Sequence, residues 1–134
     1  MGRYKEVAFA PLEVTPVSAE ALPSFDVVLC LSVFHHWVKH HGEPGARRIV
    51  GPLAARTKRH SVFETGQPDE DAAWAPNVSF MLPDPRSWIE GFLTGLGLAR
   101  VRCLGAFPAA VSPVRRLLFV ASRGDPETPL PSGS

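Results

Sequence analysis

Excess charge, cysteine and extended apolar segments are all scarce in this chain. Fourteen Lys and Arg against thirteen Asp and Glu leave a formal net charge of +1. Arg47-Arg48 and Arg56, Lys58 and Arg59 make only a mildly basic stretch, read as a solvated helix face, so nucleic acid is not indicated as a partner. The two cysteines, Cys30 and Cys103, each sit inside an apolar strand candidate. Neither has the spacing of a disulfide framework or a zinc ligand set, and buried thiols in a reducing compartment are the expectation. No apolar segment reaches the roughly 20 residues of a membrane span, and the amino terminus has no signal-peptide core. Glu6 stands where a myristoylation signal needs Ser or Thr. The plain expectation is a soluble, cytoplasmic protein without membrane contact. No glycine-rich turn follows a strand, which argues against a phosphate-loop nucleotide domain. Ser32 has no elbow glycines around it, which argues against a hydrolase nucleophile.

What is present is enough for one domain. A chain of 134 residues buries about two-thirds of its unfolded surface. Proline is over-used, with 14 residues against a usual share of about 5%. Several prolines cluster near the carboxyl terminus, where residues 124–134 combine Pro, Gly, Ser and acids with one Leu and read as a disordered tail. The expected domain therefore covers residues 1–123.

The most informative passage is Phe25-Asp26-Val27-Val28-Leu29-Cys30-Leu31-Ser32-Val33-Phe34-His35-His36-Trp37. Its short, β-branched apolar run reads as a strand covered on both faces, as in parallel sheets flanked by helices. Ligands in such sheets sit beyond the carboxyl ends of the strands, which places the chemistry around residues 32–37 and Asp26 at the opposite edge. Residues 6–10 form a weaker strand candidate stopped by Pro11, and a helical turn is expected near residues 18–21. A helix opens around Gly42-Glu43-Pro44-Gly45, with Pro44 in its first turn and Ala46, Ile49, Val50, Leu53 and Ala54 at amphipathic spacing; Gly51-Pro52 should kink or shorten it. Residues 60–64 form the next strand. Residues 69–81 read as acidic and irregular, with Trp74 as their one large anchor. Asp84 caps a helix that has Pro85 just inside and Gly97 past its end. Residues 99–104 and 114–122 are two further strands, joined by a connection too short for a crossover helix and hence antiparallel. The plan is α/β with a terminal hairpin.

Residues 25–37 resemble the fourth strand and following loop of class I S-adenosylmethionine-dependent methyltransferases. Residues 59–64 look like the family's fifth strand, and residues 87–97, 99–104 and 114–122 like its last helix and terminal hairpin. The likeness spans about residues 6–123. It implies a partial Rossmann-like sheet, mostly parallel with a carboxyl-terminal antiparallel hairpin, and S-adenosylmethionine as cofactor. It also implies transfer of a methyl group to an unidentified acceptor. The family's glycine-rich loop after its first strand, and the acidic residue ending its second, have no counterpart before Phe25. The sequence thus resembles the carboxyl-terminal half of such a domain, truncated and dependent on missing amino-terminal strands for cofactor binding. The alternative is a non-catalytic remnant or interaction subunit. It would pair with a partner chain or with itself through the exposed edge of the 25–31 strand.

On this resemblance, Glu13, Ser32, Val33 and Phe34 approach the cofactor. His35 or His36 steers or deprotonates the acceptor, since a neutral imidazole can act as a base near neutral pH; a loop-packing role is the alternative. Glu64 and Gln67, leaving the next strand on the same side, would hold a substrate amine or hydroxyl, or else serve only turn chemistry. Trp37 either stacks on a planar substrate or joins the core. His35, His36, His40 and His41 invite a metal reading, but no Cys or acid stands at ligand spacing, and no metal is expected.

Overall fold

The computed structural model describes residues 7–110 and 112–123. In chain order it contains helix α1 (Pro16–Ala19), strand β1 (Phe25–Leu31), helix α2 (Phe34–Ala55) and strand β2 (Thr57–Glu64). A 3-10 helix (Ala75–Met81), helix α3 (Pro85–Gly95) and strands β3 (Arg100–Ala109) and β4 (Ser112–Ser122) follow. The strands form one sheet in the order β1-β2-β4-β3. β1 runs parallel to β2, whereas β4 is antiparallel to both β2 and β3. The sheet is therefore mixed rather than mostly parallel as expected. The cause is local: β3 and β4 are joined by a tight turn, which permits only antiparallel pairing, and β4 then inserts between β2 and β3.

The two ends of the sheet behave differently. β1 is an edge strand whose side chains alternate: Cys30 is buried, while Val27, Leu29 and Leu31 remain 49%, 62% and 44% exposed. Cys30, Phe63 of β2, and Phe119 and Ala121 of β4 face the core built with α2 and α3. The expectation of a strand covered on both faces is thus corrected. Among the described residues, helices lie against one side of β1, and no strand pairs with its outer edge. Residues 7–10 also depart from expectation. They lie in no strand, and Phe9 is 93% exposed, because no neighbouring strand receives their backbone groups. Glu6 and residues 124–134 lie outside the described residues.

Local chemistry explains the helix boundaries. α1 begins with a capping box in which the Ser18 N–H donates to Thr15 Oγ1 at 3.1 Å and the Thr15 N–H donates to Ser18 Oγ at 2.8 Å. Asp84 caps α3 by accepting from the Ser87 N–H. α2 starts eight residues before the expected Gly42-Glu43-Pro44-Gly45 opening and bends at Gly42, whose φ of 72° only glycine adopts without strain. The amphipathic part after Gly42 was legible, and it continues through Gly51-Pro52 to Ala55. The part before Gly42 is held by tertiary packing. Phe34 is fully buried, with Phe63, Phe80, Trp88 and Phe92 around its ring at centroid distances of 5.3–6.5 Å.

Candidate functional site

The chain leaves β1 through Ser32, a non-glycine residue in the left-handed region at φ 58°. Its N–H still donates to the Glu64 carbonyl at 3.1 Å, extending the parallel ladder by one bond. This turn starts α2 at once, so His35 and His36 occupy its first turn rather than a loop. It also brings the Ser32 hydroxyl to Glu64 at the end of β2, with Oγ–Oε2 at 3.0 Å. A cleft of about 490 Å³ opens there, between the ends of β1 and β2 and the hairpin of β3 and β4. Open sheets place ligand sites at this end of the strands.

A buried guanidinium organises one wall. Arg116 Nη1 donates to Ser32 Oγ at 3.1 Å and to Glu64 Oε1 at 3.2 Å, while Nε and Nη2 donate to the Glu70 carboxylate at 2.9–3.2 Å. Burial opposes ionisation of Glu70. The hydrogen bonds from Arg116 and from the Gln67 N–H outweigh it and hold the carboxyl below its usual range. Removing one member of such a set leaves a buried charge uncompensated, so the set behaves as a unit.

His35 forms the floor and is 3% exposed. Its Nδ1 accepts from the Gly66 N–H at 3.0 Å and lies 3.3 Å from Thr65 Oγ1. Its ring packs between His36 and Trp74, each centroid 4.2 Å away. Burial, then the nearby His36 and Arg116, push its pKa from 6.5 down to about 4. The ring is therefore neutral near pH 7, with its basic nitrogen already occupied. Trp74 packs so closely over Gly66 that a Cβ there would come within 2.2 Å of the indole.

The structure divides the expected site residues into three groups. Ser32, His35, His36 and Glu64 meet at this cleft. Glu13, His36 and Trp37 meet instead at a second opening of about 480 Å³ with His40 and His41, so His36 borders both. The remaining three stand apart. The Phe34 side chain is enclosed in the core rather than presented to a cofactor, and Val33 packs half-buried against the same core. The buried Gln67 is a strut: its Oε1 accepts from the Leu117 N–H at 2.9 Å and its Nε2 donates to the Arg115 carbonyl at 3.3 Å. Its amide is spent on β4 rather than on a substrate. No group of three metal-ligating side chains comes together among the described residues.

Sequence reasoning missed Arg116, Glu70 and the closeness of Trp74 to Gly66. Arg116 did carry a signal, since a charge inside an otherwise apolar strand needs a carboxylate partner. The partner itself lies 46 residues away in an irregular segment, where no periodicity marks it.

No protein-family model matches the chain. Over 122 residues, 91% of its length, it is 33% identical to the O-antigen chain terminator bifunctional methyltransferase/kinase WbdD of Escherichia coli. The chain is homologous to part of WbdD. It spans only 14% of that protein's length. A 2.2 Å crystal structure of WbdD aligns with a TM-score of 0.63 and 31% identity, over 81% of this chain and 23% of the WbdD chain. A crystal structure of monomeric WbdD aligns at 0.59 with 27% identity, over 81% and 22%. The mixed α/β fold with its four-stranded sheet is thus shared with a segment of WbdD.

Proposed function

We propose that this chain forms the acceptor side of an S-adenosylmethionine-dependent methyltransferase domain of Rossmann-like plan. The observation that carries this is the coincidence of two things: homology to a methyltransferase/kinase over nine-tenths of the chain, and a polar cleft at the carboxyl ends of its parallel strands. The methyl reading is favoured over the kinase one because the cleft offers little to a phosphate. No lysine lines it, and its one guanidinium is engaged by Ser32, Glu64 and Glu70. Methyl transfer chiefly needs in-line positioning of donor and acceptor, which a rigid polar wall can supply.

The residues present do not build a full seat for the cofactor. Phe34 is inside the core and Glu13 lies exposed beside the second opening. No glycine-rich turn follows a strand in this sequence. The donor would then be held in large part by residues outside this chain. In keeping with its two free thiols, a reducing, cytoplasmic setting is part of the proposal; no helix among the described residues is long and apolar enough to cross a membrane.

The second reading is an interaction subunit. It draws on the open β1 edge, whose Val27, Leu29 and Leu31 are half exposed and which has no proline or lysine to deter pairing. Binding measurements by NMR separate the alternatives. Weak, saturable shifts at residues 32–36 with S-adenosylmethionine and none with magnesium-ATP are expected. A response to ATP alone refutes the methyl reading, and silence to both leaves the interaction subunit.

A further inference from the structure

We propose that His35 serves the cleft as a hydrogen-bond donor through Nε2, and that the cleft takes a neutral ligand bearing hydroxyl groups. The Gly66 N–H can only donate, and it donates to Nδ1 at 3.0 Å. Nδ1 must therefore present a lone pair, and the single proton of a neutral imidazole resides on Nε2. A base would need a free lone pair on the cleft side, and this tautomer has none. The depressed basicity of the ring agrees with the geometry.

The Nε2–H has no partner among the described residues, although His35 is almost wholly buried and lines the cleft. The fully enclosed unpaired polar atoms among the described residues are His60 Nδ1 and Ser122 Oγ. Nε2 is not one of them, so it opens onto the cleft, where a ligand oxygen can pair it. Glu64 supplies the complementary function. Its carboxylate accepts from Ser32 and Arg116 and keeps lone pairs for a ligand donor. Charge and hydrogen-bond complementarity together set the ligand class. Glu64, Glu70 and Asp71 border the cleft against Arg116 alone, so an anion is repelled, and the guanidinium fork is already engaged. The same carboxylates would draw a cation, but an ammonium carries only donors and leaves the His35 Nε2–H unpaired. A hydroxyl both donates and accepts, so neighbouring hydroxyls satisfy Glu64 and His35 together.

This deepens the transferase reading and rests on it only in calling the ligand a methyl acceptor. The test uses the full chain with 15N-labelled histidine, titrated separately with methyl glucoside, inorganic phosphate and methylammonium at constant ionic strength. The expected result is a His35 ring protonated at Nε2 and bare at Nδ1, with an Nε2 resonance that shifts saturably with methyl glucoside alone. Glu64→Gln should weaken that response about fivefold, the worth of one neutral-for-charged hydrogen-bond change, with the circular dichroism spectrum unchanged. A proton on Nδ1, a saturable response to phosphate or methylammonium, no response to the glucoside, or indifference to Glu64→Gln would each overturn the proposal. S-adenosylmethionine is titrated in parallel. A glucoside response without any cofactor response removes the transferase reading and leaves the ligand class standing.

Discussion

Replacing Gly66 by alanine adds one methyl group to the tightest contact in the candidate site. The new Cβ would stand 2.2, 2.6 and 2.9 Å from three carbons of the Trp74 six-membered ring. Carbon atoms rest at about 3.5–4.0 Å, so the indole must retreat by roughly 1.3 Å. Its way back is obstructed, because its ring packs on His35 at 4.2 Å and His35 packs on His36 at the same distance. Overpacking of this kind costs about 1–3 kcal/mol. The backbone adds no penalty, since Gly66 is not in the left-handed region. Lower unfolded-state entropy returns about 0.4–1 kcal/mol. The hydrogen bond from Gly66 to His35 would also be disturbed, at about 1 kcal/mol. The net expectation is a loss of about 2 kcal/mol, read as a lower urea midpoint at unchanged slope. In a Trp74→Leu background the obstruction is gone, and the same Gly66→Ala change should be neutral or mildly stabilising, giving a coupling of about 1–2 kcal/mol. An unaltered midpoint in the single variant, or equal losses in both backgrounds, would refute the packing of Trp74 over Gly66 and the positioning of His35 that depends on it.

Four further outcomes are expected. His35 binds its proton more weakly folded (about 4) than unfolded (6.5), so its stability contribution is complete above pH 6.5 and is lost as pH falls toward 4. Denaturation curves across that window should show a slope of order 2–3 kcal/mol in total that His35→Asn removes. Arg116→Met strands Glu70 as a buried charge and should cost about 3–5 kcal/mol by urea unfolding, with Arg116→Met/Glu70→Leu recovering much of it. Phe34→Ala empties the centre of the aromatic cluster and should cost about 3–5 kcal/mol in the same assay. Leu29→Lys with Leu31→Lys on the open β1 edge should change stability by no more than about 0.5 kcal/mol per site. If the interaction reading holds, it should abolish concentration-dependent association in sedimentation; association that persists in this variant sinks pairing through that edge.

Legibility in the sequence followed the range of the forces involved. β1, β2, α3 and the closing hairpin were readable because their signals are local. Residues 25–31 form one apolar β-branched run, Asp84-Pro85 is a cap followed by a first-turn proline, and the link between the last two strands is too short to cross the sheet. The same locality explains why α2 is legible only from its Gly42-Glu43-Pro44-Gly45 segment onward: the segment before Gly42 has no cap, and it is helical because Phe34 is drawn into a ring of aromatics from β2, the 3-10 helix and α3. Candidate residues divided in the same way. Ser32, His35, His36 and Glu64 share one cleft because each lies where a strand ends, which is legible in sequence. Gln67 and Phe34 were misplaced because proximity along the chain says nothing about which way a side chain turns.

The sequence by itself thus determined β1, β2, the later part of α2, α3 and the closing hairpin, with their order along the chain, and that polar residues gather where β1 and β2 end. Only the tertiary structure decided that β4 enters between β2 and β3, that β1 is left at an edge with one face uncovered, and that Arg116 joins Ser32, Glu64 and Glu70. It also decided which nitrogen of His35 carries the proton. The elements legible in sequence depend on neighbours within a few residues, whereas the start of α2, strand order, ion pairing and tautomer depend on partners up to 84 residues apart, whose meeting is settled by packing.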